Sequence, residues 1–412
     1  MKALNRPKTG IVLAGGGARG AYEIGVLVYI REKLSKRLGY DVPIDVITGT
    51  SVGAINAAFM AATLNEPKQQ AQKLRALWEG LRIEHLLNIH PKDVFSSLWS
   101  AISKNEPEGI RGSRHGGLLN TRGLEQFVSR QTPWRNIQRN IDLGLLDALA
   151  VSATHIGTGH TVVFTQTGKK LDGGWSKNPY VDHKATRIGP RHVMASAAIP
   201  VFFSAVKINN EYYTDGGLRQ NTPMSPAIRL GAERLLVVSL KHMATEEELA
   251  KQKCISYPHP LLLFGKAMNA LLLDHTEYDI DRMERLNAIL RAGEAAFGDD
   301  FLERLNNQMM SLRGAPLRPI DAIHIRPSQD IGAMATDFVR RGRVEIKGRL
   351  MRWVLRMLVR NDDLPGRQSD LHSYLMFDGR FARELIELGY EDAASQEDEL
   401  AKMFSFGHGN SY

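Results

Sequence analysis

A chain of 412 residues is long enough to bury a large core, as one α/β domain with an appendage or as two modest domains. Its 43% hydrophobic and 24% charged residues are those of a globular protein and indicate neither a disordered nor a membrane-spanning class. A net charge of +8 favours an anionic partner without choosing among membrane surface, nucleic acid and acidic ligand, and the single cysteine, Cys254, excludes an intrachain disulfide and a cysteine metal cluster.

The polar run Met1 to Lys8 leads into a strand-like segment without the apolar stretch and cleavage site of a signal peptide, so a cytoplasmic location is expected. Ile11 to Ala14 then reads as a short buried strand closed by glycines, with a helix beginning near Ala21. A second strand–loop–helix unit follows: Ile44 to Thr48 is strand-like, Ala54 to Ala62 is rich in helix formers, and Gly49-Thr50-Ser51-Val52-Gly53 makes the turn between them. Leu145 to Thr154, Thr161 to Thr165 and Leu235 to Leu240 are further candidate strands separated by helical stretches, the pattern of a sheet covered on both faces. Pro91 to Gly117 mixes Ser, Gly, Pro, Lys and His and reads as a loop or cover.

After Lys241 the strand-like runs thin out. Pro260 to Ala296 and Ala335 to Arg360 read as long helices, joined through a Pro-containing stretch from Arg313 to Pro327. Within the first of these, Leu261 to Leu273 is too short to cross a bilayer and reads as core. The expected organisation is a three-layer α/β/α domain over 1–245 and a mainly helical C-terminal region over 246–412.

Three motifs carry chemistry. In Gly49-Thr50-Ser51-Val52-Gly53 a serine sits between glycines at a strand-to-helix turn, which exposes its hydroxyl at a helix N-terminus able to stabilise negative charge. The usual α/β-hydrolase host places several strands before this serine and a histidine after it; here about two strands precede Ser51 and no suitably placed histidine is evident. Gly15-Gly16-Gly17-Ala18-Arg19-Gly20, at the end of the first strand, can turn N–H groups toward one point and makes a candidate oxyanion hole. It lies beside Ser51 if the first two strands are parallel neighbours. Arg19 is read as a brace for the loop, with attraction of anionic head groups as the alternative. Gly15, Gly17 and Gly20 also fit a dinucleotide fingerprint, but its acidic partner is poorly placed, because Asp41 and Asp45 precede or open the second strand. Asp215-Gly216-Gly217 reads as an aspartate on a sharp turn after Tyr212-Tyr213-Thr214.

In this order, the glycine loop, the serine elbow and the distant Asp-Gly-Gly resemble the patatin-like phospholipases. Met194 to Pro200 and Asn221-Thr222-Pro223 extend the resemblance to about residues 9–240. The resemblance implies a lipid acyl hydrolase in which Ser51 is the nucleophile, Asp215 takes its proton without a histidine, and Gly15, Gly16 and Gly17 line the oxyanion hole. Arg19, Gly20, Gly49, Gly53, Gly216 and Gly217 support these motifs. No metal or cofactor is expected and no nucleic-acid partner; the expected substrate is a phospholipid or lysophospholipid, with a triacylglycerol or general carboxylesterase as the alternative. An aspartate at its ordinary pKa of about 3.9 is a weak base toward a hydroxyl, so desolvation or oxyanion stabilisation must help it.

A lipid substrate calls for a docking surface. Asp337 to Arg360 holds eight Arg or Lys, with Arg349, Arg352, Arg356 and Arg360 on one helical stripe beside Leu350, Trp353, Val354, Met357 and Leu358. Such a helix suits peripheral contact with an anionic membrane, or packing on the core with solvated arginines.

Overall fold

The two opening strand–loop–helix units form as expected in the computed structural model, which describes residues 6–86, 117, 119–169, 171, 175–251, 266, 270, 275–313, 315–344 and 371–405. Strand β1 (Thr9–Leu13) runs through the glycine loop and a tight helical turn, Gly17–Gly20, into helix α1 (Ala21–Tyr29). Strand β2 (Val46–Thr50) runs through Ser51 into α2 (Val52–Thr63), followed by α3 (Pro67–Glu79). Every residue of α1 and α2 is buried, which is why both are apolar around most of their circumference instead of along one stripe.

The expected strand at Leu145 to Thr154 is β3 (Ala148–His155), and it is antiparallel to β4 (Thr161–Thr167). Next come β5 (Val181–Ala185), α4 (Pro190–Ser196), β6 (Val206–Ile208), β7 (Glu211–Asp215), α5 (Met224–Arg229) and β8 (Arg234–Val238). Their sheet has the order β5-β4-β3-β2-β1-β8-β9, with β6 and β7 attached beside β3. The pairs β1/β2, β2/β3 and β1/β8 are parallel, so the carboxyl ends of β1 and β2 lie side by side.

Side chains alternate across the sheet with the period of two that strands impose. Ile11 and Leu13 enter the larger core with α1, α2 and α4, whereas Val12 enters a smaller one with Met224 and Ala227 of α5. Helices therefore cover both faces, in a three-layer α/β/α arrangement.

The C-terminal region is mostly helical and completes the same core. Helix α6 (His275–Phe297) contributes Ile280 to the smaller cluster, and β9 (Asp321–Ile325) extends the sheet parallel to β8, where the sequence reads as a Pro-containing connection. Then come α7 (Ile331–Arg340), α8 (Leu371–Leu375) and α9 (Gly379–Ser395). Helix α9 lies so close along α1 that a Cβ on Gly389 would overlap the Tyr22 carbonyl, and one on Gly25 that of Ile386. The helix expected over 335–360 is interrupted: α7 ends at Arg340 and Gly342 turns the chain at φ 64, a conformation glycine adopts without strain. Residues 345–360, with the basic stripe proposed for membrane contact, lie outside the described residues, as do Cys254, almost all of 91–117 and most of 252–274. Among the described residues no helix is long and apolar enough to cross a membrane.

Candidate active site

Ser51 occupies the single residue between β2 and α2. Its backbone is held at φ 54, ψ −124, a strained geometry for a residue with a side chain and the mark of a sharp strand-to-helix elbow. The turn closes only because its flanks are bare: a Cβ on Gly49 would overlap the Gly53 carbonyl, and one on Gly53 that of Leu13. The Ser51 N–H donates to Ser196 Oγ at 2.8 Å, and Ser196 in turn donates to the Ser152 carbonyl of β3 at 2.6 Å. The last residue of α4 thus ties the elbow to the sheet.

Strand β3 also delivers Asp215. Its first five residues pair with β2, ending at Ser152 opposite Thr50, and its last three pair with β7, beginning at Ala153 opposite Asp215. Two segments far apart in sequence therefore meet at adjacent register positions on one strand. Ser51 Oγ donates to Asp215 Oδ2 at 2.7 Å, and the Gly217 N–H donates to Oδ1 at 2.7 Å. The Asp215 backbone is fixed as well, its N–H on the Ala198 carbonyl and its own carbonyl accepting from Thr154 Oγ1. Gly216 lies against the Ser152 carbonyl, with no room for a Cβ. Among the described residues no histidine hydrogen-bonds to either side chain of the Ser51–Asp215 pair. Complete burial pushes the Asp215 carboxyl up to about 7, against the opposing pull of the bonds from Ser51 and Gly217. A carboxylate made basic by loss of solvent, bonded to a serine hydroxyl at a helix N-terminus, is equipped to take that proton at neutral pH.

The glycine loop lies alongside. A Cβ on Gly15 would overlap Asn221 Oδ1 and stand 3.0 Å from Ser51 Cβ. The Gly15 N–H, expected with the oxyanion donors, instead points to the Asn221 carbonyl at 3.2 Å, while Asn221 Nδ2 donates back to the Gly15 carbonyl at 3.2 Å. The Gly16 and Gly17 N–H groups meet no acceptor among the described residues. Gly17 adopts φ 57, and Gly20 packs against Val52 of α2. Arg19 is 3% exposed and turned inward, with Nε on Ser373 Oγ at 2.8 Å and its guanidinium 4.4 Å from the centre of the Tyr374 ring, the placement of a brace.

Beneath the loop lies a polar group that the motifs do not mark. Asn56 Nδ2 donates to Glu23 Oε2 at 2.7 Å and to the Gly20 carbonyl at 3.1 Å, while its Oδ1 accepts from Trp78 Nε1 at 3.1 Å. Burial holds the Glu23 carboxyl well above the usual carboxylate range. Asn56 thus joins the helix that leaves the glycine loop to the helix that leaves Ser51. A polar residue inside an otherwise apolar run, as in Ala54-Ile55-Asn56-Ala57-Ala58, is the signal that could have exposed it.

The dinucleotide reading finds no support at the second strand. Asp45 lies at the far end of β2 and is bound to Arg6, at 2.6 and 2.7 Å, and to the Thr9 N–H at 2.8 Å; β2 itself ends on Thr50.

Comparison with known proteins gives the chain a family. The sequence model of the patatin-like phospholipases matches residues 11–228, and the chain belongs to that family. It is 25% identical over 235 residues to the cGAMP-activated phospholipase of Escherichia coli strain TW11681, covering 54% of this chain and 56% of that protein. It is 26% identical over 226 residues to the probable lipid hydrolase 463L of Invertebrate iridescent virus 6, covering 53% of this chain and 63% of that one. The match therefore spans less than two thirds of either curated relative. Among solved structures, human GIVD cytosolic phospholipase A2 aligns over 97% of this chain and 60% of its own at 11% identity and a TM-score of 0.39. VipD of Legionella pneumophila aligns over 95% and 67% at 13% identity and a TM-score of 0.33.

Proposed function

We propose that the protein is a lipid acyl hydrolase of the phospholipase A or lysophospholipase kind, with Ser51 as nucleophile and Asp215 as its base. The observation that carries the reading is the 2.7 Å hydrogen bond from the Ser51 hydroxyl to a fully buried carboxylate whose pKa is raised to about 7. Family membership supplies the lipid ester as substrate class, and the net charge of +8 favours an anionic membrane surface as the place where it is met.

Ser51 Oγ attacks the ester carbonyl as its proton passes to Asp215, and the carbonyl oxygen becomes an oxyanion that the Gly16 and Gly17 amides receive at the positive end of the turn. Gly15 contributes clearance in place of a donor, since its amide is engaged by Asn221. Collapse of the intermediate breaks the ester C–O bond, and the leaving alkoxide takes the proton from Asp215. Water then attacks the acyl-serine, giving its proton to Asp215 as the C–O bond forms; release of Ser51 returns that proton to Oγ and frees the fatty acid.

The test is fatty-acid release from mixed phospholipid and lysophospholipid vesicles, with a chelator present, by the parent protein and by Ser51→Ala. Release by the parent that vanishes in the variant is the expected outcome. Equal release by both would remove Ser51 from the reaction, and release only from triacylglycerol would move the substrate class to neutral lipid.

A further inference from the structure

We propose that helix α8, which lies beyond the residues matching the family, is a positioning element for the glycine loop. In this assignment Tyr374 and Ser373 hold Arg19, and through it the Gly16 and Gly17 amides, at the angle the oxyanion requires. The assignment rests on the acyl-hydrolase reading above.

Two consecutive residues of α8 grip the turn Gly17–Gly20 from both its backbone and its side-chain side. On the backbone side, Gly17 at φ 57 approaches the Tyr374 carbonyl so closely that a Cβ would overlap it. On the side-chain side, the Arg19 guanidinium stands 4.4 Å from the Tyr374 ring centre and Nε donates to Ser373 Oγ at 2.8 Å. An arginine placed over an aromatic face away from water is held more firmly than one at the surface.

The grip is anchored in turn. Ser373 and His372 are fully buried, and His372 Nε2 is hydrogen-bonded to Thr336 Oγ1 of α7 at 3.0 Å. Asp378 caps α9, its Oδ1 accepting from the Arg380 N–H at 2.9 Å, and α9 packs backbone to backbone along α1, the helix the glycine loop feeds. Tyr22 of α1 also donates to Asp392 of α9 at 2.9 Å. The loop and α1 thus sit in a frame made by α7, α8 and α9. Backbone donors stabilise an oxyanion only when aimed at it, and small misplacements reduce the rate steeply. The frame gives the C-terminal region a part in the chemistry without contact with the reacting atoms.

The experiment uses the full chain and three readouts: kcat and KM on phospholipid vesicles, the inhibition constant of a lipid trifluoromethyl ketone, and binding of an uncleavable ether lipid. Ser51 adds to the ketone to give an alkoxide in the loop, so its affinity reports the oxyanion donors, while the ether lipid reports substrate binding alone. Tyr374→Leu is expected to lower kcat about tenfold with KM and ether-lipid binding unchanged, and to weaken the ketone by a similar factor. Tyr374→Phe keeps the ring and is expected to restore both to within about twofold. Ser373→Ala, which removes one hydrogen bond and little volume, is expected to shift kcat and ketone affinity together by about threefold, and it carries the test should Tyr374→Leu fail to fold.

The assignment is overturned if a folded Tyr374→Leu or Ser373→Ala variant keeps the parent's kcat, or if kcat falls while ketone affinity does not. A parent that cleaves no lipid and does not bind the ketone would overturn the acyl-hydrolase reading itself, whereas an active parent with indifferent variants would overturn only the role of α8.

Discussion

The elbow that carries Ser51 is held by neighbours from the family-matching part of the chain: Ser196 on its N–H, Gly53 against Leu13, and Asp215 brought alongside by β3. The glycine loop beside it is held by Asn221 on one side and by Tyr374 and Ser373 on the other, about 350 residues further along. The elbow is thus built by the sheet, whereas the glycine loop also leans on helices outside the matched residues; under the proposed mechanism the first would attack and the second would receive charge. A change at the C-terminal helices should reach the loop without disturbing the nucleophile, and one at the elbow should do the reverse.

The largest effect expected is at the base. Asp215→Asn keeps the shape but cannot take the Ser51 proton, so turnover should fall by about a thousandfold or more. Stability should move the other way. The folded-state pKa of Asp215 lies near 7 against an ordinary 3.8, so its contribution is complete below about pH 4, is lost as pH rises through about 7, and is constant above that. At pH 8 the Asn variant should therefore melt higher than the parent, and at pH 4 the difference should vanish. A variant that melts lower at both pH values would show the carboxylate to be a net stabiliser.

Ser196→Ala separates the two halves. It leaves the buried Ser51 N–H without its acceptor, which costs about 1–3 kcal/mol and releases the elbow from its strained φ. A loss of about tenfold in the rate at which a fluorophosphonate modifies Ser51 is expected. Equal modification rates in Ser196→Ala and the parent would mean that the elbow needs no support from α4.

The smallest effect belongs at the opposite edge of the sheet. Arg6→Ala removes the paired bonds to Asp45 at the amino ends of β1 and β2, for a stability loss of about 1 kcal/mol and no change in kcat. A fall in kcat there would show that the two ends of the sheet are coupled.

The site was legible where its needs are local. A serine between glycines, a triple glycine at a strand end and Asp-Gly-Gly are each demanded by tight backbone over a few residues, so Ser51, Asp215 and the loop stand out without tertiary knowledge. Their meeting place was not legible, because β3 brings Thr50 and Asp215 together by register, which leaves no mark in either segment. Ser196 lay within a recognised segment, yet nothing in Met194 to Pro200 says that its hydroxyl serves Ser51.

Edge strands escaped for a different reason. Val181–Ala185 and Asp321–Ile325 include Asp, His and Lys residues and are only partly buried, so neither shows the apolar run of a central strand. The turn of Gly15 toward Asn221 likewise depends on a carbonyl from a distant loop. The partnership of Arg19 with Tyr374 joins residues with no shared period or motif, and only packing reveals it.

The most direct test of the Ser51–Asp215 pair is the pH dependence of Ser51 modification by a fluorophosphonate under single-turnover conditions, between about pH 5 and 9, in the parent and in Asp215→Asn. In the parent the rate is expected to rise with pH through one ionisation near 7, and in the variant to be slow and without that ionisation. A parent rate that is flat across the range, or the same rising profile in both proteins, would contradict it.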